Sequence, residues 1–351
     1  MRRGLVFGKF MPPHRGHQLM IDTAQAQVDD LTILVYDSQP PGEYPHMPVE
    51  QRLGWMRVLY PDVENILAVE DPVGTPDHDD PKYAQVYADQ LRFLGPFDRV
   101  FTNEPYYEDF AVALGAQHVL VDDGRRTLVP VSGTQIRSNL YDYRGWIDPR
   151  VYASLIQKVV LVGTESTGKS TLARTMAERF DTLWTHEYGR ELWEAQGLTG
   201  SFADHLKTAR AQRRREEAAA RQARSFLFCD TNAWTTLHWS LRSYGTADAR
   251  LYELVEQTQD DYLWVLCDND FGWVRDGTRE LAGEQAARFQ QQQIDDLEKR
   301  GTRYIVVSGP PETRAEALAS HLNSSVVKFG PPARSRSCRS SSDPAENAIN
   351  R

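Results

Sequence analysis

A chain of 351 residues, 40% apolar and 25% charged, is long enough for two domains with cores of ordinary size. Its net charge of −9 argues against a broad nucleic-acid-binding face, although a local cluster of donors can still serve one phosphate chain. Cys229, Cys267 and Cys338 are too widely spaced for a disulfide scaffold or a Cys/His zinc site. The apolar run after Arg2 and Arg3 is too short for a signal peptide, and no run approaches the roughly 18 residues of a membrane span, so the chain reads as cytosolic, with neither membrane nor DNA as a partner.

The first predicted strand is Gly4–Phe7, followed by a helix over His17–Gln27, a strand over Leu31–Tyr36 and a helix over Val49–Leu59. Ile66–Val69, Arg99–Thr102 and His118–Val121 are further strands, with helices at Tyr83–Leu94 and Tyr107–Leu114 and a surface loop over the Asp-, Pro- and Gly-rich stretch 71–81. Gly145 and Pro149 close a first domain expected at 1–148, and 149–157 is expected as a linker. The second domain, 158–330, opens with the strand Lys158–Val162 and continues with strands Leu183–His186, Phe226–Cys229, Tyr262–Cys267 and Tyr304–Val307. Long helix patterns separate them, among them Phe202–Arg224, where Arg213–Arg215 beside Glu216 and Glu217 reads as a solvated face. Residues 331–351 hold Ser, Pro and Arg without an aromatic residue, which predicts a disordered tail. Strand–helix alternation in both halves predicts an α/β fold of two doubly wound, parallel-sheet domains.

Each half opens with a phosphate-handling motif. In GLVFGKFMPPHRGH, Gly4 to His17, a strand runs through the Gly8-Lys9-Phe10 turn and a proline pair into a helix. His14 and His17 then fall near a helix N-terminus, where free N–H groups and the dipole attract anions, and two imidazoles can donate to phosphate oxygens with Lys9 in reach. About 115 residues later, VSGTQIRSN supplies the hydroxyls of Ser132 and Thr134 and a close backbone approach at Gly133. Thr134 is placed to cap a short helix that carries Arg137 one turn on. Both segments can empty into one crevice at the carboxyl ends of the strands.

The second motif is a full GxxxxGK[ST], residues 163–170, between an apolar strand and a helix. Gly163, Thr164, Glu165, Ser166, Thr167, Gly168 and Thr171 form the loop around the phosphates, Lys169 reaches the β- and γ-phosphates, and Ser170 ligates Mg²⁺. A kinase also needs a carboxylate near its acceptor hydroxyl. Asp230 ends the strand SFLFCD as a metal-holding acid, and Glu187 follows Leu183–His186. The charged stretch DNDFGWVRDGTRE, with Asp268, Arg275, Asp276 and Arg279, has the character of a lid over phosphates.

GKFMPPHRGH resembles the HxGH signature of the nucleotidyltransferase superfamily, and SGTQIR resembles its second motif; the N-terminal half is similar to nicotinamide mononucleotide adenylyltransferases. This resemblance implies attack of the mononucleotide phosphate on the α-phosphorus of ATP, with His14, His17 and Arg137 stabilising the triphosphate. It also makes Trp55 a candidate to stack on the pyridine ring and Glu104 a candidate ribose contact. GTESTGKST, EYGRE, CDTNAWTT, WSLRSYG and WVRDGTRE resemble the ribosylnicotinamide kinase domain of NadR-type bifunctional proteins. Tyr188, Arg190 and Asp268 are then substrate contacts and Arg275 and Arg279 contacts to ATP. Two departures stand out. The first strand begins within five residues of Met1, leaving no room for the helix-turn-helix repressor domain of some family members, and the lid lacks a proline found in many of them before the tryptophan. The expected partners are nicotinamide riboside, nicotinamide mononucleotide, ATP (or GTP) with Mg²⁺, and NAD, with homo-oligomerisation left open. The alternatives are a nucleotide-sensing regulator of weak turnover and an adenylyltransferase–kinase pair for another small substrate.

Overall fold

The structure is a computed structural model that describes residues 1–38, 47–70, 82–122, 127–197, 200–270 and 283–323. The expected loop over 71–81, the lid residues Arg275, Asp276 and Arg279, and the tail 331–351 lie outside the described residues.

The first half runs β1 (Arg3–Gly8), α1 (Arg15–Gln25), β2 (Asp30–Asp37), α2 (Val49–Leu59), β3 (Asn65–Glu70), α3 (Tyr83–Leu91), β4 (Arg99–Thr102), α4 (Glu108–Leu114), β5 (Gln117–Leu120) and α5 (Gly133–Ser138). Its five-stranded sheet has the order β3-β2-β1-β4-β5 with every pair parallel. After α6 (Pro149–Ser154) the second half runs β6 (Gln157–Val162), α7 (Lys169–Arg179), β7 (Leu183–Thr185), α8 (Tyr188–Ala195), α9 (Phe202–Ala220) and β8 (Phe226–Asp230). It closes with α10 (Ala233–Tyr244), α11 (Ala249–Thr258), β9 (Tyr262–Cys267), α12 (Gly283–Lys299), β10 (Tyr304–Val307) and α13 (Pro311–Asn323). The second sheet is also five-stranded and parallel, in the order β10-β9-β6-β8-β7. No helix among the described residues is long and apolar enough to cross a membrane.

Both central strands are apolar at successive positions because both faces of each sheet are covered. Alternate residues feed opposite cores. Val6, Ile33 and Phe101 pack on one face of the first sheet and Leu5, Leu34 and Val100 on the other. In the second sheet Val159, Leu161 and Phe228 face α7 and α13, whereas Val160, Val162 and Leu227 face a larger core with α9 and α10. Helix ends differ from the sequence reading where side chains cap them. His14 is the N-cap of α1, so the helix starts at Arg15, ahead of His17. Tyr107 belongs to a 3-10 turn before α4, and α9 stops at Ala220 rather than reaching Arg224.

The segment 149–157, expected as a linker, is a packed joint. Asp148 caps α6 and Pro149 takes its first position, the place where a missing N–H costs nothing. Val151, Tyr152, Leu155 and Ile156 are buried in one core with Ile136 of the first half and Trp234 of the second. Trp55 sits in this same core. Its indole Nε1–H donates to Ser154 Oγ at 2.8 Å and its ring is 6% exposed, so the expected stacking on a pyridine ring is replaced by a structural role at the joint. Tryptophan supplies both a large apolar body and a donor, and α6 takes up both.

The acidic neighbours of the Arg213–Arg215 run are also corrected. Glu216 is fully buried and accepts the Tyr262 hydroxyl at 2.6 Å, while Arg213 bridges Asp261 at 2.6 Å and Glu217 at 2.9 Å. The helix turns Glu216 inward toward β9, and only part of the run meets solvent. Burial pushes the Glu216 carboxyl up to about 7, against the pull of the Tyr262 hydrogen bond and of Lys158.

Two outcomes follow from this packing. Trp55→Ala is expected to cost about 3–5 kcal/mol in denaturant unfolding, as for other large-to-small changes in a core; Trp55→Phe, which keeps a ring and loses the Ser154 bond, should cost about 1 kcal/mol. Negligible losses would put the indole outside the core. Glu216, raised from an ordinary 4.5 to about 7, binds its proton more tightly folded than unfolded. Its contribution is complete below the unfolded value and is lost as pH rises to about 7, by about 3 kcal/mol in total. Urea unfolding across this range should show that decline in the parent protein and a flatter profile in Glu216→Gln; parallel profiles would exclude Glu216 as the titrating group.

Two candidate phosphate-handling sites

The first sheet reverses its strand order at β1, so the loops after β1 and β4 part and leave a crevice at their carboxyl ends. Both N-terminal motifs reach this crevice. The His14 ring accepts the Gly16 N–H through Nδ1 at 3.1 Å, and the His17 ring accepts the His14 N–H through Nδ1 at 3.3 Å. A nitrogen that accepts a backbone N–H carries no proton, so the neutral rings hold theirs on Nε2. The helix cap thereby fixes two imidazoles as Nε2–H donors, with centroids 3.8 Å apart and Phe10 edge-on to His17. Phe10 itself takes a left-handed backbone, φ +49°, and its ring packs over Gly8, where an added Cβ would meet it at 3.4 Å.

The second motif arrives on α5. Ser132, not Thr134, caps this helix: its Oγ accepts the Gln135 N–H at 3.1 Å and Gln135 returns a bond to the Ser132 N–H. Thr134 lies in the first turn and accepts from Arg137 Nη2 at 3.2 Å, while Arg137 Nη1 donates to Met11 O at 3.0 Å. An added Cβ on Gly133 would stand 3.1 Å from Arg137 and 3.9 Å from His14 Nε2, which shows how closely the two motifs meet. Lys9, Phe10, His14, His17, Glu104, Gly133 and Arg137 line one cleft together with Asn103.

The sequence reading missed Arg52. This guanidinium is fully buried, donating to Met47 O at 2.9 Å, Lys9 O at 2.9 Å and Tyr36 O at 2.6 Å, with Asp37 at 3.2 Å. It ties the β1–α1 loop to the end of β2. The available signal was an arginine on the same helical face as Trp55 and Met56.

In the second half the loop after β6 wraps the N-terminus of α7. Gly163, at φ +132°, lies so close to Cys267 O that an added Cβ would approach it to 2.7 Å; Gly168 takes φ +78° as the helix N-cap. Ser166 is also left-handed, at φ +65°. Thr167 Oγ1 donates to Thr164 O at 2.9 Å, and Thr164 N–H donates to Gln290 Oε1 at 3.4 Å. Lys169 Nζ donates to Gly163 O at 3.1 Å and Thr164 O at 2.7 Å. Thr171 follows Ser170 in the first turn of α7.

The two proposed carboxylates converge on this loop. Asp230, at the end of β8, is 2% exposed; burial raises its carboxyl, against the pull of Lys169 and a hydrogen bond with Ser170. Glu187 precedes α8, 3.7 Å from Arg190, and its carboxyl is raised first by burial and then by the neighbouring Asp230. Glu165, Lys169, Glu187 and Arg190 line a second cleft, closed by Trp193 of α8, Asp204 and His205 of α9, and Thr235 and Trp239 of α10. These last five were not anticipated, because three helices must assemble before they share a wall.

Two substrate contacts are corrected. The Tyr188 ring packs against the Arg215 guanidinium at 5.2 Å and does not line this cleft, because the turn into α8 directs Gly189 and Arg190 there. The Asp268 carboxylate accepts from Asn269 N–H at 2.8 Å and stands 3.5 Å from Gln290, and Asp268 does not line this cleft.

Residues 5–139 match the cytidylyltransferase-like family model and residues 158–314 match the AAA domain model. The trifunctional NAD biosynthesis/regulator protein NadR of Escherichia coli (strain K12) is 29% identical over 330 residues, spanning 87% of this chain and 78% of that protein. A nicotinamide-nucleotide adenylyltransferase of Methanocorpusculum labreanum is 28% identical over 163 residues, 45% of this chain and 92% of that protein. In fold, the chain is similar to the crystal structure of NadR protein in complex with NR, at TM-score 0.55 and 22% identity over 95% of this chain and 98% of that one. A second NadR structure, in complex with NAD and AMP-PNP, gives a TM-score of 0.53 at 20% identity, over 95% of this chain and 98% of that one. Through both halves, then, the chain resembles the NadR-type proteins, with a nucleotidyltransferase-like domain followed by a P-loop kinase-like domain.

Proposed function

We propose that the chain is a bifunctional enzyme of NAD biosynthesis and salvage. Its second domain phosphorylates nicotinamide riboside at the 5′-hydroxyl with ATP, and its first domain joins the resulting mononucleotide to AMP from ATP, giving NAD and pyrophosphate. The observation that carries this reading is the pair of separate clefts, one walled by His14, His17 and Arg137 and the other by the P-loop with Glu187. The names of the relatives, and the NR, NAD and AMP-PNP held by NadR, agree with it.

In the first cleft the attacking group is a phosphate already ionised at neutral pH, so no strong base is needed. A new P–O bond forms to the α-phosphorus as the α–β bridge breaks and its electron pair leaves with pyrophosphate. The work of the protein is to hold the two chains in line and offset the growing charge. Nε2–H of His14 and His17 and the Arg137 guanidinium are the donors suited to it. Lys9 is the further cation of this cleft, and Glu104 stands at its rim as the ribose contact.

In the second cleft Lys169 and the loop N–H groups hold the β- and γ-phosphates. Asp230 Oδ1 is buried without a hydrogen-bond partner, and the same carboxylate interacts with the Ser170 hydroxyl; these two side chains would hold Mg²⁺ together with phosphate oxygens and water. Mg²⁺ held there would neutralise charge on the transferring phosphoryl group. Glu187 orients the 5′-hydroxyl and takes its proton. Because its carboxyl is raised, wild-type kinase turnover should decline on acidification at a higher pH than an ordinary carboxylate would give.

An assay with nicotinamide riboside, ATP and Mg²⁺, following both mononucleotide and NAD, tests the reading directly. Lys169→Ala should abolish riboside phosphorylation and spare adenylylation of supplied mononucleotide, whereas His17→Ala should lower adenylylation about 10²–10³-fold and spare the kinase. A folded variant that loses both activities would refute the two-site assignment. Within the kinase site, Glu187→Gln should lower turnover at least about a hundredfold with no rescue by added metal. Asp230→Asn should shift the Mg²⁺ dependence and recover in part at excess Mg²⁺. Near-normal turnover of Glu187→Gln would remove Glu187 from the chemistry and leave Asp230 as the base.

A further inference from the structure

Among the buried residues of α13, Arg314 stands in the company of Ala315, Leu318, Ala319 and Leu322 and is 2% exposed. Withdrawing a guanidinium from water costs several kcal/mol unless its donors are satisfied, and a leucine at this position would match its apolar neighbours. The donors of Arg314 reach three backbone carbonyls. Nε donates to Gly309 O at 2.8 Å, Nη1 to Thr167 O at 2.7 Å and Nη2 to Asp268 O at 2.9 Å. Nη2 also pairs with the Asp270 carboxylate, whose other oxygen accepts the Gly309 N–H. One side chain thus joins the phosphate loop, the exit of β9 and the turn before its own helix.

The bond to Thr167 bears on nucleotide binding. A trans peptide is planar, and its C=O and the following N–H point to opposite sides. Drawing Thr167 O back toward α13 therefore turns the Gly168 N–H away from α13, toward the concave side of the loop. Gly168 itself sits in the left-handed region at φ +78°, one residue before Lys169. On the far flank Gly163 is pressed against Cys267 O at the end of β9, and Arg314 pins the next carbonyl of that same segment, Asp268 O. The loop is wedged between two backbones whose spacing this guanidinium sets.

We infer that Arg314 is a positioning residue for the triphosphate: it holds the Thr167–Gly168 peptide in the orientation that offers the Gly168 N–H to a phosphate oxygen. The inference rests on the kinase reading above for its turnover arm, but its binding arm does not. Arg314 touches neither substrate nor metal and acts through the loop backbone. Lysine at this position can hold one of the three carbonyls, and methionine can hold none.

The test uses the full chain with Arg314→Lys and Arg314→Met. Calorimetric titration of ATP with Mg²⁺ onto the parent and onto Lys169→Ala gives, by difference, the share of binding that belongs to this loop. Arg314→Lys should weaken that share at least about tenfold and raise KM for ATP to match, with KM for riboside and adenylylation of mononucleotide unchanged; Arg314→Met should weaken it further. A folded Arg314→Lys protein with parental ATP affinity would overturn the inference, and so would an equal rise in KM for both kinase substrates. Loss of cooperative melting of the second half in both variants would also overturn it, because Arg314 would then serve folding rather than the loop. A parent protein that binds ATP through Lys169 without phosphorylating riboside would refute the kinase assignment alone and leave the binding comparison intact.

Discussion

Each phosphate-handling loop is held from behind by a buried guanidinium, and the geometry of both clefts depends on that arrangement. Arg52 pins Lys9 O in the loop after β1 and Tyr36 O at the end of β2; Arg314 pins Thr167 O in the loop after β6 and Asp268 O after β9. A loop that turns its N–H groups toward an anion must turn carbonyls the other way, into the protein. Those carbonyls cannot be left without donors in a dry interior. The planar guanidinium, with five N–H groups in a fixed fork, can serve several at once. Each arginine also has a partly exposed carboxylate partner, Asp37 or Asp270, which offsets its charge without drawing it from the carbonyls.

The two sites are separate in chemistry but share a mechanical foundation. Residues 147–156 pack into both halves at once. The backbone of Ile147 forms a β-bridge with His14, and Ser154 receives the indole of Trp55. The Tyr152 hydroxyl donates to Ala223 O just before β8 at 2.6 Å. α6 then passes directly into β6, the strand that carries the phosphate loop. The position of His14 in one site and the start of the central strand of the other are thus fixed by the same ten residues.

Buried carboxyls are used in two ways. Glu216 is enclosed with the Tyr262 hydroxyl, close to Lys158 and Arg213, and its raised affinity for a proton reflects a structural contact between α9 and β9. Glu187 lines a cleft with Lys169, the charge of Asp230 acts on it from the end of β8, and each carboxyl is raised by burial beside the phosphate loop. A perturbed carboxyl alone does not mark a catalytic group; the open cleft beside it separates the two cases.

The sequence by itself determined the strands, their grouping into two α/β halves and the backbone-borne parts of both sites. The apolar runs of parallel strands covered on both faces are continuous and therefore visible, and the motifs around His14, Gly133 and Lys169 specify local backbone that glycine, proline and cap residues dictate within a few positions. Tertiary structure alone decided which polar and aromatic residues turn inward. Trp55 belongs to the joint because α6 offers Ser154 to it, the Tyr188 ring packs against Arg215 of α9 rather than lining the second cleft, and Glu216 is buried because α9 lies against β9. Arg52 and Arg314 read as ordinary helix charges until the carbonyls they hold, up to 147 residues away in sequence, are brought beside them. A motif records what a segment does with its own backbone; the direction of a side chain depends on which distant element packs against it.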